Sequence, residues 1–268
     1  MKNLINVVWS LIVFSVLTIL IQIGGVIYLV SAFVTRKQAK RRSLKRIITF
    51  SVFYLLATYL IILSIAPLFG REKIKNSELV QAHSLFYGLT NRNYVRLELN
   101  QVIQNIATVF EKQNPGIKLI YLDANFPFFD GFPLLPHLSH DDGGKIDISF
   151  VYKNPDGQLT NKKVSVSGYG IYEEPMNSEY DQITDCKNQG YWQYDLPKYL
   201  TFGSINEEVS FSERGTRELV NLIASQSLVG KIFIEPHLKN RLNLTSEKIR
   251  FHGCQAVRHG DHIHFQLR

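Results

Sequence analysis

The chain has 268 residues, and its 30 lysines and arginines outnumber its 23 acidic residues to give a formal net charge of +7. The excess positive charge lies in the first 70 residues, which contain eight basic residues and no acidic ones. The other 22 basic residues nearly balance the acids of residues 71–268. Because the body of the protein has no excess of basic charge, no nucleic acid is expected as a partner.

Two long apolar stretches dominate the first 70 residues. Residues 4–34 and 47–70 carry no formal charge over 31 and 24 positions, whereas a membrane-spanning helix needs about 20 mainly apolar residues. A cleaved signal peptide has a shorter apolar region of roughly 7–15 residues, and soluble helices keep a polar face. The sequence therefore predicts a transmembrane helical hairpin over residues 1–70, with spans at about 7–33 and 47–68.

The segment between these spans, residues 35–46, predicts the orientation of the chain. Its seven basic residues are Arg36, Lys37, Lys40, Arg41, Arg42, Lys45 and Arg46, and it contains no acid. Short loops rich in lysine and arginine remain in the cytoplasm. We therefore expect a two-pass protein of the bacterial inner membrane, with the lipid bilayer as a partner and both the N-terminus and the C-terminal domain in the periplasm.

The rest of the chain is long enough for one globular core. Residues 71–96 are interpreted as a connector and residues 97–268 as the outer domain. In chain order the predicted elements are a helix at 97–110, strands at 117–122 and 146–152, a strand at 163–169 that returns antiparallel, a long surface loop at 172–205, a helix from Ser212 to about 226, and strands at 231–235 and 263–267. This order favours an α+β fold with a mostly antiparallel sheet and flanking helices.

Five of the eight histidines form two clusters. The first contains His137 and His140 and is followed by Asp147; the second contains His259, His262 and His264. Neutral imidazoles and carboxylates are ligands of zinc, and a catalytic zinc takes three protein ligands and leaves one position for water. His140, Asp147 and either His262 or His264 would complete such a set.

Local spacing supports this interpretation. Gly143 and Gly144 favour a turn before Asp147, and alternate residues of a strand share one face, so His262 and His264 point the same way. One of these two histidines can bind the metal while the other serves the substrate as a proton carrier or an oxyanion donor.

The remaining histidines and the two cysteines carry weaker signals. His83, His237 and His252 lack neighbouring ligands and are interpreted as ordinary surface or boundary residues. Cys186 and Cys254 lie in a segment expected outside the cytoplasm, where a disulfide can persist, but two thiols alone leave the pairing open. Zinc binding by the cysteines is disfavoured because histidine and aspartate already complete a site.

The two clusters resemble the motifs of the penicillin-insensitive murein endopeptidases. The residues concerned are Pro136-His137-Leu138-Ser139-His140 with Gly143 and Asp147, the C-terminal His259-x-x-His262-x-His264, and between them a helix near 216–227 and the segment Lys231-Ile232-Phe233-Ile234-Glu235-Pro236. The resemblance covers roughly residues 117–150 and 213–268. These enzymes belong to the LAS group of zinc peptidases, which also includes D-Ala-D-Ala peptidases and the Hedgehog signalling domain.

This resemblance implies a set of roles for the clustered residues. His140, Asp147 and His264 would bind Zn²⁺, and His262 would be the catalytic histidine near the water. His137 and His259 would support the pocket. The implied activity is that of a membrane-anchored zinc metallopeptidase that hydrolyses amide bonds in peptidoglycan peptides.

Two alternatives use the same scaffold. One is a D,D- or L,D-carboxypeptidase, and the other is a non-catalytic zinc-binding module of the cell envelope. A serine hydrolase is not expected, because the sequence contains no Gly-x-Ser-x-Gly motif.

Overall fold

The computed structural model describes residues 2–37 and 41–268, and its first part consists of apolar helices. These are α1 (Lys2–Ile21), α2 (Gly24–Val34) and α3 (Arg42–Leu56), which continues through a π-helical turn (Ala57–Ile61), α4 (Ile62–Ile65) and a 3-10 turn (Ala66–Phe69). Within the described residues, the helical stretches Leu4–Ile21 and Arg42–Phe69 are long and apolar enough to cross a membrane.

The predicted first span is interrupted after α1. Gln22 adopts a left-handed conformation with φ of 51°, and α2 folds back along α1. The absence of a side chain on Gly25 allows close contact with Thr18, and the Tyr28 hydroxyl donates to Ser10 over 3.3 Å. The structure therefore has two antiparallel helices where the sequence predicted one span at 7–33.

This turn changes the helical arrangement predicted for the first span. With 11 residues, α2 is about 16 Å long, too short for a hydrocarbon layer of about 30 Å. Because α1 and α2 are antiparallel, the N-terminal end of α1 lies at the same end of the helix pair as Val34, the last residue of α2. The sequence had placed the N-terminus on the opposite side and had predicted a two-helix hairpin. Lys40 of the basic segment lies outside the described residues.

The remaining elements form an α+β body. Its strands are β1 (Glu72–Lys73), β2 (Val80–Ala82), β3 (Tyr94–Val95), β4 (Leu119–Tyr121), β5 (Lys145–Ser149), β6 (Tyr152–Lys153), β7 (Leu159–Thr160), β8 (Ser210–Phe211), β9 (Val229–Phe233), β10 (Ile249–Arg250) and β11 (His262–Leu267). Its helices are α5 (Leu85–Leu89), α6 (Leu97–Gln113), α7 (Gln182–Asn188), a 3-10 helix (Trp192–Leu200), α8 (Glu213–Ser225) and α9 (Pro236–Arg241).

The main sheet is mixed. Its six strands lie in the order β10-β9-β11-β5-β4-β2, with parallel pairing at its two edges and antiparallel pairing between them. A three-stranded antiparallel sheet, β7-β6-β8, and the antiparallel pair β1-β3 complete the body. The α+β class is thus confirmed, with a mixed main sheet in place of the mostly antiparallel one predicted.

Alternation along the central strands separates the core from the site. Ile146 and Ile148 of β5, and Ile263 and Phe265 of β11, are fully buried in the core together with residues of α6 and α8. The intervening side chains, including Asp147, therefore project from the opposite face of the sheet. Ser212 caps helix α8, because its hydroxyl accepts a hydrogen bond from the amide of Gly215, as the sequence predicted.

Three predicted segments differ in the structure. Residues 71–96, predicted as a connector, belong to the body, because β2 is an edge strand of the main sheet. Residues 163–169, predicted as a strand, form an irregular segment with a single bridge from Ser165 to Ser204. The predicted surface loop 172–205 contains α7 and the 3-10 helix. Their packing depends on contacts with distant segments, which local sequence patterns do not reveal.

Candidate metal centre

His140, Asp147 and His264 meet on the face of the sheet opposite α6 and α8. Asp147 of β5 lies directly across from His264 of β11 in the antiparallel register. His140 reaches them from the preceding loop, which turns at Gly143 with φ of 79°, a conformation that favours glycine. All three side chains are buried.

The three donor atoms form a compact triangle. His140 Nε2 lies 3.0 Å from His264 Nδ1 and 3.2 Å from Asp147 Oδ1, and the latter two atoms are 2.8 Å apart. Ligands of a tetrahedral zinc at ordinary bond lengths are separated by about 3.3 Å. The donor set therefore fits a small divalent cation after a minor expansion.

Neighbouring groups orient these ligands. His140 Nδ1 donates to the carbonyl oxygen of Ala124 over 2.6 Å, which leaves the Nε2 lone pair for the triangle. The Tyr169 hydroxyl donates to Asp147 Oδ2 over 2.8 Å, so Oδ1 remains directed at the two histidines. Such outer hydrogen bonds are typical of metal-binding histidines and carboxylates.

The charges of the ligands also suit a cation. Although burial opposes ionisation, the surrounding imidazoles hold the pKa of Asp147 well below its usual value. Burial lowers the pKa of His264 to about 3, so its imidazole is neutral. His140 is buried too, but the Asp147 carboxylate raises its pKa.

A second set of potential ligands shares Asp147 with the first. Donor atoms of His137, Asp147 and His262 also lie within 4.8 Å of one another. His137 Nδ1 donates to Asp123 over 3.1 Å and lies 3.2 Å from Asp147 Oδ2. The buried groups of both sets could hold a metal ion.

His262 is held by its neighbour Asp261. Its Nδ1 donates to the Asp261 carboxylate over 2.5 Å, and its Nε2 is buried with no hydrogen-bond partner among the described residues. That Nε2 lies 3.7 Å from Asp147 Oδ1. Although burial opposes the charged form, the carboxylates of Asp147 and Asp261 raise the pKa of His262 to about 9. His262 is thus a proton-bearing group beside the ligand triangle.

A cavity of about 530 Å³ gives access to the triangle. It is bordered by residues of the two histidine clusters, the 3-10 helix and the segment before β11, among them His137, His140, Gln193, Leu196, His252, Val257, His259 and His264. The His259 ring lies 4.9 Å from that of His262, and its amide donates to Glu235 over 2.7 Å. The triangle of His140, Asp147 and His264 is thus reached through this cavity.

The structure brings together all six residues singled out from the sequence, namely His137, His140, Asp147, His259, His262 and His264. It also adds Asp123, Tyr169 and Asp261, which sequence reasoning missed. Asp261 lies inside the second cluster, and its role could have been predicted from this position, because carboxylates often orient histidines. Tyr169 lies in an irregular segment without any recognisable pattern.

The three isolated histidines were only partly interpreted correctly. His83 and His237 are buried, with 2% and 1% of their surface exposed, so they are core residues and not surface ones. His252 is exposed, but it borders the cavity and its ring lies 5.4 Å from that of His259. It therefore belongs to the rim of the site.

Comparison with known proteins adds no identification. The chain matches no protein-family profile, and no curated protein is significantly similar to it in sequence.

Proposed function

We propose that this protein is a membrane-anchored zinc-dependent peptidase that hydrolyses amide bonds in the stem peptides of peptidoglycan. The observation that carries the proposal is the buried triangle of His140 Nε2, Asp147 Oδ1 and His264 Nδ1 beside an open cavity. The choice of peptidoglycan rests on the resemblance of the two histidine motifs to those of the murein endopeptidases.

The three residues of the triangle would hold the metal with two nitrogen ligands and one carboxylate ligand. When bound at such a site, zinc supplies a Lewis acid that polarises a carbonyl group and makes water nucleophilic at neutral pH. His140 and His264 provide neutral nitrogen ligands, and Asp147 provides the negative charge. The hydrogen bonds of His140 to Ala124 and of Asp147 to Tyr169 keep these donors in place.

His262 is the proposed general acid or base. It stands next to the triangle without occupying it, and its Nε2 has no hydrogen-bond partner among the described residues, which leaves this atom available for proton transfer. Asp261 fixes the ring by accepting from Nδ1, so the proton moves at Nε2. His137 and His259 border the same cavity, where they orient the peptide.

The proposed topology places the body on the side opposite the basic segment. The positive charges of residues 35–46 favour the cytoplasm, and Arg42–Phe69 then leads through the membrane to the body. An alkaline phosphatase reporter fused after residue 75 is expected to be active, since it folds only in the periplasm. An inactive reporter at this position would contradict the topology.

Product analysis with the purified full-length chain in detergent tests the activity. Muropeptides are incubated with the zinc-loaded protein, with and without a chelator. Loss of cross-linked dimers supports an endopeptidase, whereas loss of terminal residues alone supports the carboxypeptidase alternative. Unchanged muropeptides at full zinc occupancy would contradict the proposed peptidase and would support the alternative of a non-catalytic zinc-binding module.

A pair of isosteric variants controls for the metal site. Asp147→Asn removes the central charge of the triangle and is expected to abolish hydrolysis. Asp156→Asn makes the same chemical change in an exposed turn and is expected to retain it. Equal activity of the two variants would exclude the proposed centre.

A further inference from the structure

Helix α5 presents an apolar surface outside the core. Its exposed side chains are Leu85, Phe86 and Leu89, with 85%, 51% and 40% of their surface accessible. Its buried residue, Tyr87, donates to the carbonyl oxygen of Ser167 over 2.6 Å. Every exposed position of this helix is thus apolar, and contiguous apolar surface of this kind marks a contact site.

This helix is attached to the apolar helix α3. The Tyr54 hydroxyl donates to the carbonyl oxygen of Leu89 over 2.7 Å. The amide of Asn91 donates to the Tyr54 hydroxyl over 3.1 Å and to Thr58 Oγ1 over 3.2 Å. These three hydrogen bonds set the position of α5 along α3.

The position of Tyr54 sets the depth of α5 in a membrane. The helical stretch Arg42–Phe69 has 28 residues and is about 40 Å long, with Tyr54 about 18 Å from its first residue. A hydrocarbon layer of about 30 Å includes Tyr54 wherever it is placed along this stretch. Leu89, which is bonded to Tyr54, therefore lies at the depth of the hydrocarbon.

We propose that Leu85, Phe86 and Leu89 form a membrane contact of the body, which reaches the acyl chains of the bilayer. The contact is continuous with α3 and adds to the two membrane-crossing stretches. This inference rests on the membrane anchor of the proposed function but not on its peptidase activity.

The contact also determines where the metal centre lies. Arg92 follows α5, pairs with Asp123 over 2.7 Å and donates to the carbonyl oxygen of Leu135. Asp123 holds His137 of the site, and Leu135 borders the cavity. The cavity is thus joined to the end of α5 by the ion pair of Arg92 and Asp123. Its substrate class is accordingly an amide presented at the membrane surface, as on a lipid-linked peptide.

Fluorescence quenching in the full-length chain tests this contact. Leu85→Cys, Phe86→Cys and a control, Leu228→Cys, each receive a polarity-sensitive fluorophore, which labels the new thiol because both native cysteines are disulfide-bonded. Leu228 is 46% exposed and precedes β9, at the end of the sheet away from Phe233 and His264. The proteins are reconstituted into phosphatidylcholine–phosphatidylglycerol vesicles that contain lipids with nitroxides on the acyl chains.

Labels at positions 85 and 86 are expected to shift to shorter wavelengths and to lose most of their emission, while the label at 228 keeps its emission. Equal quenching at positions 85 and 228 would overturn the proposed contact. A label at Leu138, on the cavity rim, is expected to be quenched by nitroxides on the lipid headgroups. If it behaves like the label at 228, the proposed location of the cavity at the membrane surface is wrong.

Two further readings separate this inference from the proposed function. A label at Leu11, an exposed residue of α1, reports the membrane anchor itself. If the label at Leu11 is quenched and the label at position 85 is not, only the contact of α5 is refuted. If the label at Leu11 is not quenched, the membrane anchor itself is refuted. Quenching at position 85 in a protein that hydrolyses no muropeptide supports the contact and contradicts the peptidase.

Discussion

The hydroxyl of Tyr169 donates to Oδ2 of Asp147 over 2.8 Å, while Oδ1 of the same carboxylate faces His140 and His264. Both residues are buried, so this hydrogen bond is shielded from water. The central carboxylate of the candidate metal centre is therefore oriented by a residue from the irregular segment 163–169. This segment had been expected to form a strand.

Replacing Tyr169 by phenylalanine tests this orientation. The variant is expected to bind zinc about 10–100-fold more weakly, as is typical when an outer hydrogen bond to a metal ligand is lost. Competition with a chromophoric chelator measures the affinity. Tyr180→Phe is the matched control, because its hydroxyl bonds to Asp185 on the surface. Equal affinities of the two variants would show that Tyr169 does not support the ligand.

The two histidines of β11 are expected to differ in their roles. His264→Ala should lose its zinc, because Nδ1 of His264 is one corner of the donor triangle. His262→Ala should keep zinc and fold but lose about 10²–10⁴-fold in hydrolysis, the usual contribution of a general acid or base. Elemental analysis and muropeptide turnover distinguish the two effects. Equal loss of zinc in both variants would make His262 a ligand.

The disulfide between Cys186 and Cys254 joins α7 to the segment that borders the cavity. It links residues 68 positions apart, and crosslinks of this length typically stabilise a protein by about 2–4 kcal/mol. A double serine variant is expected to unfold at a lower temperature than the native chain. A reductant should lower the midpoint of the native protein and leave that of the variant unchanged. A native midpoint insensitive to reductant would contradict this role.

The ligand triangle was accessible from the sequence because its determinants are local. A glycine pair favours the turn between His140 and Asp147, and strand alternation places His262 and His264 on one face. Their supporting residues were not accessible in this way. Tyr169 reaches Asp147 through a chain path that only the tertiary structure defines.

The membrane segment shows a similar limit. Hydropathy averaged over a window does not detect a single reversal of the chain, and the interruption at Gln22 lies within a stretch that is uncharged throughout. In the structure the Gln22 side chain donates to the carbonyl oxygen of Phe128 over 2.7 Å. A contact 106 residues away in sequence thus accompanies a turn that local composition could not predict.

His83 provides a test of stability against pH. Burial lowers the pKa of His83 to about 4, and the nearby ammonium group of Lys163 adds to this effect. In the unfolded chain a histidine titrates near 6.5, so between these two values the unfolded state binds more protons than the folded one. The free energy of unfolding therefore falls as the pH decreases from about 6.5 to about 4, by on the order of 3 kcal/mol from this residue.

His83→Gln removes the titration. Thermal unfolding in detergent between about pH 7.5 and about pH 4.5 should show that the stability of this variant declines less steeply than that of the native chain. Other buried groups titrate in both proteins, so the difference between their two curves of stability against pH isolates the effect of His83. Parallel curves would show that this histidine does not remain neutral in the folded state.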